Sequence, residues 1–161
     1  MADRACAEIK IGGSIRRSCI EGLIGAIQCD GGRADWDGEP LGDDALSEGE
    51  MLEAFAYELS GGIFQEAESF CEEHGLPYVR SSGSCAGAFG PERVVFTGEG
   101  TAAQFDLTEQ DEVALTRCGL LTLGSMQAAE SWFASAEFVP PPFTIIEDGA
   151  TSKPACELCH G

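Results

Sequence analysis

The fold is decided by a stretch that begins Ala7-Glu-Ile-Lys-Ile11, passes through Gly12-Gly13 and continues into a segment of regularly spaced apolar residues. Apolar and polar residues alternate over positions 7–11, which predicts a strand with one buried face. The two glycines interrupt this strand, and Ser14 is suited to cap a helix that runs to about Cys29. Six residues at helical spacing predict one broad buried face on that helix: Ile15, Cys19, Ile20, Leu23, Ile24 and Ile27.

A second strand–helix–strand unit follows the loop at residues 38–42. Ser47-Glu-Gly-Glu50 has the spacing of a capping box and predicts a short helical turn, beyond which residues 55–59 extend as a strand. A helix is expected over residues 63–74, ended by Gly75 in a left-handed conformation. Further strands are predicted over 33–37, 77–80, 92–96 and 103–107, and helices capped by Thr108 and Ser125 over about 109–118 and 126–137.

Two strand–helix–strand units in one chain are typical of a sandwich in which helices cover one face of an antiparallel sheet. We therefore expect an α+β fold, a ferredoxin-like split βαβ sandwich with additional C-terminal helices. Residues 1–146 are expected to form a single globular domain, because this length is sufficient for one hydrophobic core. Residues 147–161 follow the extended Pro140-Pro-Pro142 segment and are expected to be a flexible C-terminal tail.

The net charge excludes several classes of function. The 161 residues include 28 Asp and Glu against 9 Lys and Arg, a formal net charge of −19. Direct binding to nucleic acid or to an anionic membrane needs clustered Lys and Arg, so we expect neither. No apolar stretch approaches the length of a membrane span, and the first residues lack the pattern of a signal peptide. We therefore expect a cytoplasmic protein whose eight cysteines stay reduced.

The negative charge is concentrated between Ala34 and Val79, a stretch without any Lys or Arg. This acidic window, residues 34–79, contains thirteen of the 28 carboxylates. A charge of one sign over a large surface attracts cationic partners. Two alternatives stay open at this point: the charge serves only to keep the protein soluble, or the protein is adapted to high salt.

Three short patterns are associated with metal or nucleophile chemistry, but each lacks part of what that chemistry needs. Cys156-Glu-Leu-Cys159-His160 has the spacing of haem attachment and supplies three of the four ligands of a structural zinc site. Gly83-Ser-Cys-Ala-Gly87 places Cys85 at the position of a nucleophile elbow, which requires a following helix. Asp35-Trp-Asp37-Gly-Glu39 lacks the final bidentate Glu of a calcium loop. We therefore expect no cofactor and no enzymatic activity.

Parts of the chain resemble small acidic proteins of phages and plasmids. The resemblance covers roughly residues 8–97 and rests on Ile11-Gly-Gly-Ser-Ile-Arg-Arg17, on the stretch from Gly62 to Arg80, and on Pro91-Glu-Arg-Val-Val-Phe96. Proteins of this kind include anti-CRISPR and antirestriction proteins, some of which imitate DNA. The resemblance implies a mechanism without catalytic residues, in which the protein occupies the basic nucleic-acid channel of a host complex.

The sequence thus predicts a non-enzymatic acidic protein that binds a basic surface of a host protein or nucleoprotein complex, with a homodimer also possible. Eight residues in the first part of the acidic window are the candidate partner-binding residues: Asp35, Trp36, Asp37, Glu39, Asp43, Asp44, Glu48 and Glu50. Two alternatives remain. One is a metal-binding or redox protein that uses Cys156, Cys159 and His160, and the other is a small structural or assembly protein of a mobile element.

Overall fold

A five-stranded antiparallel sheet organises the chain, in a computed structural model that describes residues 3–148. The elements in this part of the chain are β1 (Arg4–Ile11), β2 (Ser14–Arg16), α1 (Arg17–Cys29), β3 (Leu52–Ser60), α2 (Gln65–His74), β4 (Tyr78–Ser82), β5 (Glu92–Phe96), β6 (Ala103–Asp106), α3 (Arg117–Leu123), α4 (Met126–Ala136) and β7 (Thr144–Ile146). The main sheet has the order β3-β1-β4-β5-β6, and β2 pairs with β7 in a separate two-stranded parallel sheet. None of the helices within residues 3–148 has both the length and the apolar character needed to cross a bilayer.

β1 is an interior strand of the main sheet, and its side chains alternate between the two faces of the sheet. This confirms the strand predicted from the alternating pattern. Ile9 and Ile11 are fully buried on one face. They share an apolar core with the buried residues Leu23, Ile24 and Ile27 of α1. Because side chains alternate along a strand, the intervening Glu8 and Lys10 lie on the opposite face, which we call the open face.

β3, α2 and β4 form one split βαβ unit, because β3 and β4 both run antiparallel to β1, which lies between them. The first predicted unit is different: α1 connects β1 to β3, and these strands are direct neighbours. The α+β class is therefore confirmed, whereas the ferredoxin-like arrangement is not confirmed. α4 begins after the predicted cap, where the Ser125 hydroxyl accepts a 3.0 Å bond from the Ala128 N–H. Ala136 of α4 packs against Val95 and Phe105 in a second apolar cluster.

The predicted start of the first helix is wrong by two residues. Ser14, Ile15 and Arg16 pair with β7 as a parallel strand, so α1 begins only at Arg17. The predicted helical turn after Ser47 is also wrong. There the backbone N–H of Gly49 and the carbonyl of Glu50 bond to Phe143, and Leu52 then begins β3. In both places, pairing with a segment near residue 144 uses the backbone groups that a helix would need.

Two further predicted elements are replaced by turns and bridges. The Thr108 hydroxyl accepts bonds from the N–H groups of Gln110 and Glu112, which closes a turn instead of beginning a helix. The next helix, α3, starts after the Thr116 cap. The predicted strand at 33–37 reduces to bridges made by Arg33. Gly75 does end α2 in the left-handed conformation, as predicted.

The C-terminal end of the described region is attached to α1. Phe143 is buried in the core. Of the predicted tail, Glu147 accepts bonds from the Arg17 guanidinium at 2.6–3.1 Å, and Asp148 accepts bonds from the N–H and hydroxyl of Ser18. Residues 149–161 lie outside the described region.

A buried arginine links α2 to the sheet. The Arg80 side chain of β4 is 2% exposed, and its Nε lies 3.0 Å from Glu68 Oε2 of α2. Its Nη1 donates to Glu92 of β5 at 3.1 Å and to the Ser82 hydroxyl at 3.0 Å. Tyr78 donates its hydroxyl to Glu68 and, at 2.7 Å, to Glu72. The network fixes α2 over two neighbouring strands.

We predict that Arg80→Met lowers the free energy of unfolding by about 3–5 kcal/mol, because it leaves the buried Glu68 carboxylate without its counter-ion. Arg17→Met removes an arginine whose partner, Glu147, is exposed. This matched control should change stability far less, because exposed pairs contribute little. Urea unfolding of both variants tests the prediction. Equal losses in the two variants would contradict it.

Two glycines of α1 provide a matched pair for the contact between the helices. A Cβ at Gly22 would lie 2.9 Å from the ring of Phe70 in α2, whereas a Cβ at Gly25 meets nothing within 4 Å. We predict that Gly25→Ala raises the unfolding free energy by about 0.5–1 kcal/mol, because alanine favours the helix. Gly22→Ala should gain less or lose stability, because Phe70 must move. Thermal unfolding distinguishes the two variants, and a larger gain at position 22 would refute the close approach.

Candidate functional site: the open face of the sheet

The open face carries a row of polar side chains from neighbouring strands. Glu8 of β1 lies opposite Ser81 of β4, which in turn lies opposite Arg93 of β5. Phe55 of β3 and Phe105 of β6 continue the row at its two ends. α4 packs near β5, so the part of this face around β1 and β4 forms a groove. The groove is lined by both charged and apolar residues: Glu8, Lys10, Val79, Ser81, Arg93, Asp111, Phe138, Val139 and Pro140.

Four of the predicted partner-binding residues lie in one turn at the edge of this face. Arg33 exchanges two backbone hydrogen bonds with Phe55, of 2.7 and 3.0 Å, and so holds the turn against β3. Trp36 packs on Phe55 and Tyr57, with ring centroids 5.0 and 5.2 Å apart. Asp35 accepts a bond from the Asp37 N–H. Asp35, Trp36, Asp37 and Glu39 therefore form an exposed group, which we call the Trp36 turn.

The other four predicted residues lie further along the same connection and have different surroundings. Asp43 and Asp44 sit in a turn closed by the bond from Ala45 N–H to Gly42. The Glu48 carboxylate accepts a 3.0 Å bond from the Ile145 N–H, so it satisfies a backbone group of β7. The Glu50 carbonyl bonds to the backbone of Phe143. Among the described contacts, none joins these four residues to the Trp36 turn.

Most carboxylates of the acidic window are exposed to solvent. Of its thirteen carboxylates, only Glu68 is buried, where Arg80 neutralises it. The ion pairs within residues 3–148 are formed by Arg17, Arg80 and Arg93, and none of them uses a carboxylate between residues 35 and 50. Arg33 lies beside the Trp36 turn, but its guanidinium donates to the Gly38 carbonyl and not to a carboxylate. The predicted acidic surface therefore lacks internal counter-ions in the described region.

The charged residues of the groove were missed by the sequence reasoning. Arg93 donates to the Ala136 carbonyl at 3.1 Å and lies 3.6 Å from the Asp111 carboxylate. Burial raises the pKa of Glu8, and the neighbouring carboxylates Asp111 and Glu53 add to this rise, while Lys10 and Arg93 oppose it. The alternation along β1 already placed Glu8 opposite the buried face. Arg93 joins it only through strand pairing, and Asp111 only through the fold of the loop that follows β6.

The metal and nucleophile candidates find no site in the described region. Within residues 3–148, no group of three or more His, Cys, Asp or Glu side chains could hold a metal ion. Cys156, Cys159 and His160 lie outside these residues. Cys85 lies in the loop between β4 and β5, bridged to Phe89, and the next element is a strand. The helix that a nucleophile elbow requires is therefore missing after Cys85.

We predict that Glu8→Gln stabilises the protein more at pH 7 than at pH 4. The folded pKa of Glu8 lies above the ordinary value of 4.5, so the wild type binds this proton more tightly when folded. The contribution of Glu8 to stability is therefore full below pH 4.5 and is lost as the pH rises through the folded pKa. Glutamine has no such loss. Urea unfolding of both proteins across this pH range measures the difference, and a gap that narrows with rising pH would contradict the assignment.

The comparisons with known proteins leave the function to be argued from the residues themselves. No protein-family model, curated protein or solved structure matches the chain. Three features of the molecule bear on its function: the exposed acidic window, the Trp36 turn and the groove on the open face.

Proposed function

We propose that this protein is a non-enzymatic acidic binding protein that occupies a basic surface of a nucleic-acid-binding partner. The observation that carries the proposal is the exposed connection between α1 and β3. Its seven predicted carboxylates all reach solvent, and none forms an ion pair within the described residues. The most concrete partner is a host defence complex, which the protein would inhibit as anti-CRISPR or antirestriction proteins do.

The mechanism needs charge and shape rather than catalysis. Duplex DNA presents one phosphate charge per roughly 1.7 Å of its axis, and a protein channel that binds DNA is lined with Lys and Arg. Carboxylates that lack internal counter-ions can take the place of those phosphates and exclude the nucleic acid. The same field accelerates encounter with a cationic partner. The inhibitor would act in the cytoplasm of the host, where such complexes meet invading DNA.

We predict that reversing Asp35, Asp37, Asp43 and Asp44 to Lys abolishes the inhibition. The measurement is displacement of labelled duplex DNA from purified CRISPR effector complexes and restriction enzymes. The unmodified protein should displace DNA from at least one of them, and displacement should weaken steeply as salt rises from about 50 to about 200 mM. The fourfold variant should displace none, because it replaces the mimicked phosphates with like charges.

A matched control separates local charge from total charge. Glu21, Glu99, Asp106 and Glu130 are exposed and lie outside the acidic window. Reversing these four to Lys gives the same change in net charge, but it should leave displacement near that of the unmodified protein, because it leaves every carboxylate of the acidic window in place. Equal losses in the two variants would show that only the total charge matters. Displacement that survives the reversal within the window would refute the proposed surface.

A further inference from the structure

A cavity of ≈ 340 Å³ lies on the open face, between the Trp36 turn and the loop that follows β6. Trp36, Glu8 and Ser81 contribute to its wall on the side of the sheet, and Glu109 and Asp111 on the side of the loop. None of the described residues that line it is a Lys or Arg. The cavity thus combines one aromatic residue, three acidic residues and three hydroxyl-bearing residues, Ser81, Ser82 and Thr108.

This combination discriminates between cationic side chains. A cation over the face of a tryptophan is attracted by the ring quadrupole, and a planar guanidinium can also stack on the ring. The guanidinium presents a fork of N–H donors that matches a carboxylate, whereas an ammonium is a point charge with a strongly held hydration shell. An arginine side chain therefore interacts with both the ring, by stacking, and the carboxylates, by paired hydrogen bonds. A lysine side chain interacts chiefly through its charge.

The cavity also contains carboxylates that have no described ion-pair partner. Asp111 is partly neutralised by Arg93, at 3.6 Å, but no described ion pair or hydrogen bond engages the carboxylates of Glu8 and Glu109. Glu8 is half-buried, and burial together with the nearby carboxylates raises its pKa although Lys10 and Arg93 oppose the rise, so a further cation at the cavity would be favourable. The site is therefore complementary to one positive side chain.

We propose that this cavity binds an arginine side chain from an extended basic segment of the protein partner. The proposal rests on the function proposed above, because it needs a cationic partner. The neighbouring cavity of ≈ 190 Å³ shares Glu8, Ser81 and Asp111 with this one and continues to Phe138 and Val139. Lys10 and Arg93 also line that neighbouring cavity, so the residues that flank the arginine there would be apolar or uncharged and would pack on its apolar part.

The test compares two peptides of equal length and charge, nona-arginine and nona-lysine, by calorimetry with the full chain at low salt. We expect nona-arginine to bind more tightly than nona-lysine. Trp36→Ala and Glu109→Gln should each weaken nona-arginine binding by about two- to fivefold and reduce the preference for arginine. Asp43→Asn with Asp44→Asn should weaken both peptides by a similar factor, because these residues contribute charge but lie outside the cavity.

The outcomes distinguish this proposal from the one on which it rests. If neither peptide binds, the proposed function fails. If both bind but neither cavity variant changes the arginine preference, the acidic surface stands and the cavity assignment is overturned. Trp36→Ala also removes contacts with Phe55 and Tyr57, so its folding is checked by thermal unfolding. Glu109→Gln changes an exposed residue without described hydrogen bonds, and it keeps the test decisive if the tryptophan variant unfolds.

Discussion

The rest of the structure depends on the guanidinium of Arg80, which is buried between α2 and the sheet. It forms ion pairs with two carboxylates, Glu68 on the helix and Glu92 on the next strand. A buried charge is costly unless its hydrogen bonds are satisfied, so this network permits few other positions for α2. α1 and α2 lie on one face of the sheet, whereas on the opposite face α4 packs near β5 and the part around β1 and β4 forms a groove.

Carboxylates serve two purposes in this chain. Several of them satisfy backbone groups: Asp30 accepts bonds from the N–H groups of Glu66 and Ala67 at the start of α2, and Asp148 accepts from Ser18 at the start of α1. Negative charge is favourable at a helix N-terminus, where N–H groups lack partners. Glu48 does the same for β7. The carboxylates of the Trp36 turn, by contrast, satisfy little of the fold beyond one Asx-type bond, which leaves their charge available to a partner.

Local patterns in the sequence were reliable where burial and capping are decided by near neighbours. The strand at Ala7–Ile11, the glycine that ends α2 and the Ser125 cap of α4 were all predicted, because each depends on residues within one or two turns. Predictions failed at Ser14 and Ser47, where capping patterns are present but the backbone pairs with residues near 144. No local signal reports a partner that is about a hundred or more positions away.

The sequence by itself determined the charge and its location, since a window without Lys or Arg remains acidic in any fold. It also determined which residues alternate toward a core. Only the tertiary structure decided which carboxylates are bonded within the fold and which have no ion-pair partner among the described residues. Strand pairing brings Glu8, Ser81 and Arg93 into one row, although they are far apart in the chain. The contact between Trp36 and β3 then places an aromatic ring beside that row, because side-chain position across a sheet depends on register and not on sequence distance.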